Sequence, residues 1–173
     1  MKLVVGLGNP GNNYNFTRHN IGFLTLDFYF KVKKLSWNEK PKFGAVFGRE
    51  GDVLFIKPQE FYNKTGEVVH EFMRYYKIPA SDILVICDNF DLEFGKTRFR
   101  SSGLAAGNNG LKSIDKVLGS SDYPRLRIGT ENNELRRKMG DIDFVLSRFT
   151  PEEKEQLPEI LTEAIKKIEE FLN

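Results

Sequence analysis

Residues 2–20 read KLVVGLGNPGNNYNFTRHN, and this stretch decides how the chain begins to fold. Residues 2–7 are a short apolar run with β-branched side chains, and Gly and Pro follow it, which predicts a buried strand followed by a turn. Helical patterning begins only after Asn20, which is a plausible N-cap for a deeply packed helix over residues 21–34. The pattern therefore predicts that a polar loop carrying His19 joins a strand end to a helix start.

The rest of the chain alternates between strand and helix patterns. The apolar runs at residues 43–48 and 52–57 predict an antiparallel hairpin, and a helix is predicted over residues 61–76 because Pro79 disfavours its continuation. Strand patterns occur in ILVIC, KTRFR and RLRIG. Helix patterns occur in GLKSIDKVLG and PEEKEQLPEILTEAIKKIEEFL. This order predicts one α/β domain over residues 1–173, a three-layer sandwich in which helices flank a twisted, mixed, mostly parallel sheet.

The composition is that of an ordinary globular protein. The 173 residues are 40% hydrophobic and 29% charged, and a chain of this length suits one core. The first residues carry too short an apolar run for a secretory signal or a membrane span, so we expect a cytoplasmic protein with no membrane partner. The single cysteine, Cys87, has no partner for a disulfide, which is consistent with reducing surroundings.

Charge is unevenly distributed, although the formal net charge is only +2. Residues 96–138 contain ten basic and four acidic residues, whereas residues 150–173 contain seven acidic and three basic residues. The C-terminal stretch is therefore expected to be a solvated acidic helix. A polyanion should meet the middle third of the chain instead.

The first loop contains a literal G-x-G-x-x-G pattern at Gly6, Gly8 and Gly11. A dinucleotide site needs the third glycine to open a helix and an acidic residue about 20 positions later. A polar run follows here instead, and lysines stand where the acid is required, which argues against a nicotinamide oxidoreductase. His19 is the better candidate, because an imidazole can accept a proton near neutral pH. Taken alone, it is also compatible with a turn histidine that only hydrogen-bonds its own loop.

Asp88 follows the apolar run ILVIC, so its carboxylate is expected at the carboxyl edge of the sheet, where α/β folds usually bind ligands. Cys87 could be proposed as a nucleophile, but a small apolar residue in such a strand is typically core filler. The spacing of Asp88, Asp91 and Glu93 does not fit a Ca²⁺ loop, and we predict no metal site.

Four blocks of sequence carry a family resemblance. They are GLGNPGNNYNFTRHNIG, KPQEFYNKTG, DNFDLEFGKTRFR with GNNGLKSI, and RLRIG. In this order, from the first strand to Gly129, they resemble the blocks of the bacterial-type peptidyl-tRNA hydrolase family. The resemblance implies an esterase that frees tRNA from peptide and so recycles tRNA for translation. It also implies a monomer that binds the acceptor arm and 3′ end of peptidyl-tRNA and needs no cofactor.

The resemblance assigns roles to individual positions. His19 would be the general base, Asp88 its orienting carboxylate, and Asn9 the group that stabilises the oxyanion and helps to distinguish N-blocked from free aminoacyl groups. The substrate- and tRNA-binding positions would be Tyr14, Phe61, Asn63, Asn109, Arg98, Arg100, Lys112 and Arg127. Among these, the amides suit peptide carbonyls and the three arginines suit the tRNA 5′ phosphate. When each of these residues is read alone, a structural role remains an alternative: a turn, a helix cap, core packing or an edge strand.

Several positions depart from the family pattern. Tyr62 stands in place of the usual Met, Glu60 in place of Thr, and Asn108 in place of His. Residues 104–106 interrupt a normally glycine-rich loop, and residues 130–141 lack the usual Pro-Gly turn. These departures concern the wall and the cover of the pocket. Because the proposed base, its carboxylate and all three asparagines are present, a hydrolase is favoured over an RNA-binding relative that keeps only the fold.

Overall fold

The computed structural model describes residues 1–38 and 40–173. The strands are β1 (Lys2–Gly6), β2 (Ala45–Glu50), β3 (Val53–Pro58), β4 (Ile83–Asn89), β5 (Thr97–Arg100) and β6 (Arg125–Gly129). The helices are α1 (Ile21–Lys33), α2 (Thr65–Tyr76), α3 (Asn109–Leu118), α4 (Asn133–Met139), α5 (Asp141–Val145) and α6 (Pro151–Leu172).

The six strands form one sheet in the order β2-β3-β1-β4-β6-β5. Strand β1 lies inside the sheet because Leu3, Val4 and Val5 are all apolar, and each is fully buried. It pairs in parallel with β3 and β4, and β4 pairs in parallel with β6. The edge strands β2 and β5 are antiparallel to their neighbours. The predicted mixed, mostly parallel sheet is therefore confirmed.

Helices cover both faces of this sheet. On one face, Val5 and Val85 belong to the same apolar cluster as Val69 of α2 and Leu111 of α3. On the other face, a second cluster joins the sheet to α1 and α6, with members Val4, Ile86, Leu26 and Ile160. The α/β three-layer sandwich is confirmed, and its two cores follow from alternation of side chains along the strands.

A glycine brings α1 close to the carboxyl ends of two strands. A Cβ atom placed on Gly22 would lie 2.5 Å from both the backbone nitrogen of Leu7 and the carbonyl oxygen of Ile86. Only a glycine fits such an approach without displacing the helix. The residues just before α1, including His19, are thereby held at the carboxyl edge of the sheet.

Some local expectations were wrong in detail. The helix predicted over residues 61–76 begins at Thr65, because Tyr62–Lys64 form a 3-10 turn. The side chain of Asn108, rather than that of Asn109, caps α3 by accepting from the Leu111 amide at 3.0 Å. Helices α4 and α5 were not predicted. Within the residues described, no helix is both long enough and apolar enough to cross a membrane.

Candidate active site

His19 and Asp88 meet at the carboxyl edge of the sheet. The 3-10 turn Arg18–Asn20 carries the imidazole, and Asp88 is the second-to-last residue of β4. The Nδ1 atom of His19 lies 2.8 Å from Oδ1 of Asp88, and the two side chains are 13% and 2% exposed. The carboxylate can therefore hold the imidazole in one orientation while the ring remains accessible.

Tyr62 and Asn108 complete the surroundings of this pair. The Tyr62 ring stacks on the imidazole with centroids 3.7 Å apart and planes at 14°. Its hydroxyl lies 3.3 Å from Oδ1 of Asp88, and the Asn108 side-chain nitrogen lies 3.4 Å from the same oxygen. Burial, reinforced by the charge of Asp88, raises the pKa of Tyr62 well above its usual value, so the phenol stays protonated. The sequence marked both positions only as departures from a family pattern.

A cavity of about 280 Å³ opens in front of the pair. Four of the predicted site residues line it: His19, Asp88, Asn109 and Arg127. Its remaining wall comes from the β4 end, the loop before α3, the start of α3 and helix α5, with Cys87, Asn89, Phe90, Ala105, Ala106, Gly107, Asn108, Leu111, Asp141, Ile142 and Val145. The cavity thus offers an imidazole, an amide and a guanidinium within a partly apolar enclosure.

Cys87 also borders this cavity but is only 1% exposed. Burial, with a further contribution from the charge of Asp88, raises the pKa of its thiol to about 12. The thiol is therefore neutral at physiological pH and lacks the thiolate that nucleophilic attack requires. Its place in the apolar cluster beneath α2 and α3 agrees with the prediction of core filler.

Asn9 lies in a neighbouring cavity rather than in the one lined by His19. It is 8% exposed and borders a space of about 160 Å³ together with Asn20, Phe23 and Lys57. Its backbone N–H donates to Oδ1 of Asn20 at 2.9 Å, and Nδ2 of Asn20 donates back to the Asn9 carbonyl at 2.9 Å. Asn20 had been expected to cap α1, but its side chain does not do so. It ties the first loop to the turn that carries His19.

Arg18 is a positioning residue that the sequence analysis missed. It is completely buried, and its guanidinium donates to both carboxylate oxygens of Glu153 at 2.7 Å. Its Nε donates to Ser147 Oγ at 3.1 Å, and the guanidinium lies 4.5 Å from the centroid of the Phe144 ring. Burial alone would raise the pKa of Glu153, but the hydrogen bonds from Arg18 and Thr150 and the charge of Arg18 together outweigh it and lower this pKa. The pair fixes the His19 turn to the first turn of α6.

The other predicted aromatic, amide and lysine positions lie near the surface. Tyr14 is half-buried in a 3-10 turn, whereas Phe61 is 64% exposed and precedes the turn that contains Tyr62. Asn63 is exposed within that turn, and Lys112 is exposed in the first turn of α3. Tyr14, Phe61, Asn63 and Lys112 are outside the wall of the His19 cavity as the described residues define it.

Four arginines form what we call the arginine ladder, made of Arg98, Arg100, Arg125 and Arg127. In the antiparallel pairing of β5 with β6, Arg98 lies opposite Arg127 and Arg100 lies opposite Arg125. Paired residues project from the same face of a sheet, so the four side chains share the face that carries α3. Arg127 donates to the Leu104 carbonyl and reaches the cavity. Arg125, which had not been predicted, is fully buried with its guanidinium 4.2 Å from the centroid of the Tyr123 ring.

The fold and the site together define an α/β protein whose histidine–aspartate pair faces a cavity at the carboxyl edge of the sheet. The chain belongs to the peptidyl-tRNA hydrolase family, whose model matches residues 3–173. This confirms the resemblance carried by the four sequence blocks, and it makes the chain an enzyme of the hydrolase class.

Curated relatives and solved structures agree with this membership. The peptidyl-tRNA hydrolase of Bacillus cytotoxicus is 42% identical over 100% of this chain and 94% of its own length. The one from Halalkalibacterium halodurans is 40% identical over 99% of this chain and 93% of its own length. A crystal structure of the peptidyl-tRNA hydrolase of Acinetobacter baumannii superposes with a TM-score of 0.86 at 29% identity, covering 98% of this chain and 87% of that one. A peptidyl-tRNA hydrolase in complex with N-propanol gives a TM-score of 0.87 at 29% identity, over 99% of this chain and 88% of that one.

Proposed function

We propose that this chain hydrolyses the ester bond that joins a peptide, or an N-blocked amino acid, to tRNA, with His19 as the general base. One observation carries the proposal, namely the 2.8 Å contact between His19 Nδ1 and Asp88 Oδ1 at the wall of a cavity. When Nδ1 carries the proton that it donates to Asp88, Nε2 is left as the basic nitrogen. A base held in this way can activate water.

The reaction then proceeds in two proton transfers. A water oxygen attacks the ester carbonyl while Nε2 of His19 takes the proton that the water releases. The tetrahedral oxyanion collapses, the bond between the carbonyl carbon and the ribose oxygen breaks, and the imidazolium returns its proton to that oxygen. The products are a peptide with a free carboxylate and a tRNA that can re-enter translation. General-base assistance of this kind contributes a factor of about 10² to 10⁴.

Amide side chains would stabilise the oxyanion and hold the peptide. Asn109 lies on the wall of the His19 cavity, and Asn9 lies in the adjoining cavity behind the loop that Asn20 anchors. We assign the oxyanion to Asn9 and peptide carbonyls to Asn63 and Asn109, because a neutral amide can donate and accept without carrying charge into the site.

The arginine ladder would receive the tRNA. Arg127 belongs both to the ladder and to the cavity wall, so a polyanion lying across the ladder extends to the cavity. We assign the 5′ phosphate of the tRNA to Arg98, Arg100 and Arg127. Lys112, in the first turn of α3, would add positive charge for the same anion. We assign the walls of the cleft for the acceptor end to Tyr14 and Phe61, and propose that the enzyme acts as a cytoplasmic monomer.

The test is release of peptide from N-acetyl-aminoacyl-tRNA by the purified protein, with free aminoacyl-tRNA as the substrate that should be spared. His19→Ala should lower kcat by about 10² to 10⁴ and leave tRNA affinity unchanged. The matched control is His70→Ala, since His70 is the other histidine and is exposed on α2. Lack of hydrolysis by the wild-type protein would refute the function, and full activity in His19→Ala would refute the role of His19.

A further inference from the structure

Tyr62 touches His19 and its carboxylate partner at three points. Its ring lies 3.7 Å from the imidazole in a nearly parallel stack, at 14°. Its hydroxyl lies 3.0 Å from the backbone carbonyl oxygen of His19 and 3.3 Å from Oδ1 of Asp88. The residue is only 6% exposed, so these contacts are shielded from solvent. The Tyr62 side chain therefore contacts the ring and the backbone of His19 as well as the carboxylate of Asp88.

The hydroxyl has a chemical consequence for Asp88. The Oδ1 atom accepts from the imidazole Nδ1 at 2.8 Å and has Tyr62 and Asn108 as further donors at 3.3 and 3.4 Å. The hydroxyl carries one proton, so it can donate either to Asp88 or to the carbonyl of His19. In either case it ties Tyr62 to the pair on which the proposed base depends.

We propose that Tyr62 is a positioning residue, whose ring fixes the plane of the His19 imidazole while its hydroxyl holds the Asp88 carboxylate and the His19 backbone. This inference rests on the proposed role of His19 as the general base. The ring and the hydroxyl make separate contacts, so their effects can be separated by substitution.

The experiment is an NMR measurement of the ring-proton chemical shifts of the two histidines in the intact protein. Tyr62→Phe keeps the stacked ring and removes the hydroxyl, so the His19 ring protons should keep the upfield shift that a stacked aromatic ring produces. Tyr62→Leu removes the ring, and the same protons should move downfield. His70, exposed on α2, is the internal reference and should not move. The matched control is Tyr75→Phe, which removes a hydroxyl from a side chain that is 61% exposed on the same helix.

Kinetics provide the second readout. In Tyr62→Leu, kcat should fall about tenfold with KM unchanged, because the imidazole is no longer held in its plane. Tyr62→Phe, which keeps the ring, should retain most of the wild-type kcat. A purely structural role would change stability without separating kcat from KM. If Tyr62→Leu does not fold, as thermal unfolding would reveal, Tyr62→Met, which also lacks a ring, carries the test.

Two results would overturn the inference: His19 ring-proton shifts in Tyr62→Leu equal to those of the wild type, or an unchanged kcat in a folded Tyr62→Leu. The NMR measurement needs no substrate, so it is independent of the proposed function. A wild-type protein that does not hydrolyse peptidyl-tRNA would remove that function. An active wild type whose His19 does not respond to loss of the Tyr62 ring would remove only the role of Tyr62.

Discussion

The pair of Arg18 and Glu153 offers a sharp test of how the His19 turn is held. In Glu153→Gln the side chain keeps its shape and an oxygen that can still accept from the Thr150 amide, a contact of 2.8 Å in the capping box of α6. What is lost is one charge of a bidentate pair. The remaining guanidinium has no exposed surface, so water cannot replace the missing carboxylate.

The expected loss of stability is large. Removing one partner of a buried ion pair typically costs about 3–5 kcal/mol, because the other charge is left uncompensated. The side chain of Arg18 is 0% exposed and that of Glu153 is 10% exposed, so little solvent screening reduces this figure. For a chain of 173 residues, each kcal/mol lowers Tm by about 2–4 °C, which predicts a drop of about 6–20 °C at neutral pH.

The pH dependence of stability gives an independent check that the ionised form of Glu153 stabilises the fold. Since the folded-state pKa of Glu153 is lowered from its ordinary value of 4.5, its contribution is fully present above that pH. It is lost as the pH falls through the lower folded-state value. The gap in Tm between the wild type and Glu153→Gln should therefore be widest near neutrality and narrow in acid below about pH 4.5.

Differential scanning calorimetry between pH 3 and 7 would measure both effects, with Glu152→Gln as the matched control. Glu152 is adjacent in the same first turn of α6 but exposed, so its variant should melt like the wild type. A Glu153→Gln protein that melts with the wild type at neutral pH would refute the reasoning. So would a gap in Tm that stays constant in acid.

Three further outcomes are expected. Asp88→Asn should lower kcat by about 10⁴ with KM little changed, because the amide can present the wrong group to His19 Nδ1; an active variant would contradict this. Arg127→Gln should reduce the salt dependence of log Kd for tRNA by about one in slope, as measured by filter binding, whereas Arg74→Gln on α2 should not. Gly22→Ala should lower Tm or prevent folding, because its Cβ would lie 2.5 Å from backbone atoms of neighbouring segments; a Tm equal to that of the wild type would be inconsistent with this packing.

Much of the fold was predictable from the sequence because the inner strands are strongly patterned. Leu3, Val4 and Val5 are buried on both faces, and such runs are typical of parallel strands between helix layers. The pairing of His19 with Asp88 was implied by the family resemblance, whereas the strand pattern alone predicted only that Asp88 lies at the carboxyl edge of the sheet. The structure explains the pairing by topology, because β1 and β4 are parallel neighbours that end at the same edge.

The parts that could not be predicted depend on contacts between distant residues. Helix α4 has no buried residue and hence no apolar stripe, and Arg136 anchors it by pairing with Asp91 and Asp141. Arg18 meets Glu153 across 135 positions of sequence. The stacking of Tyr62 on His19 likewise requires the fold to bring two separate 3-10 turns together. None of these contacts leaves a periodic pattern in the chain.

The register of β5 against β6 means that the unbound protein carries an internal repulsion. Like charges placed directly opposite each other weaken a strand pair, and here two cross-strand pairs on one face, separated by the pair Phe99–Leu126, are both Arg against Arg. A polyanion that binds the accessible members Arg98, Arg100 and Arg127 would relieve this repulsion and add its binding free energy to the stability of the folded state. Under the proposed function, this sheet edge is therefore most stable when it is occupied, so tRNA should raise the stability of the folded chain as well as being released by it.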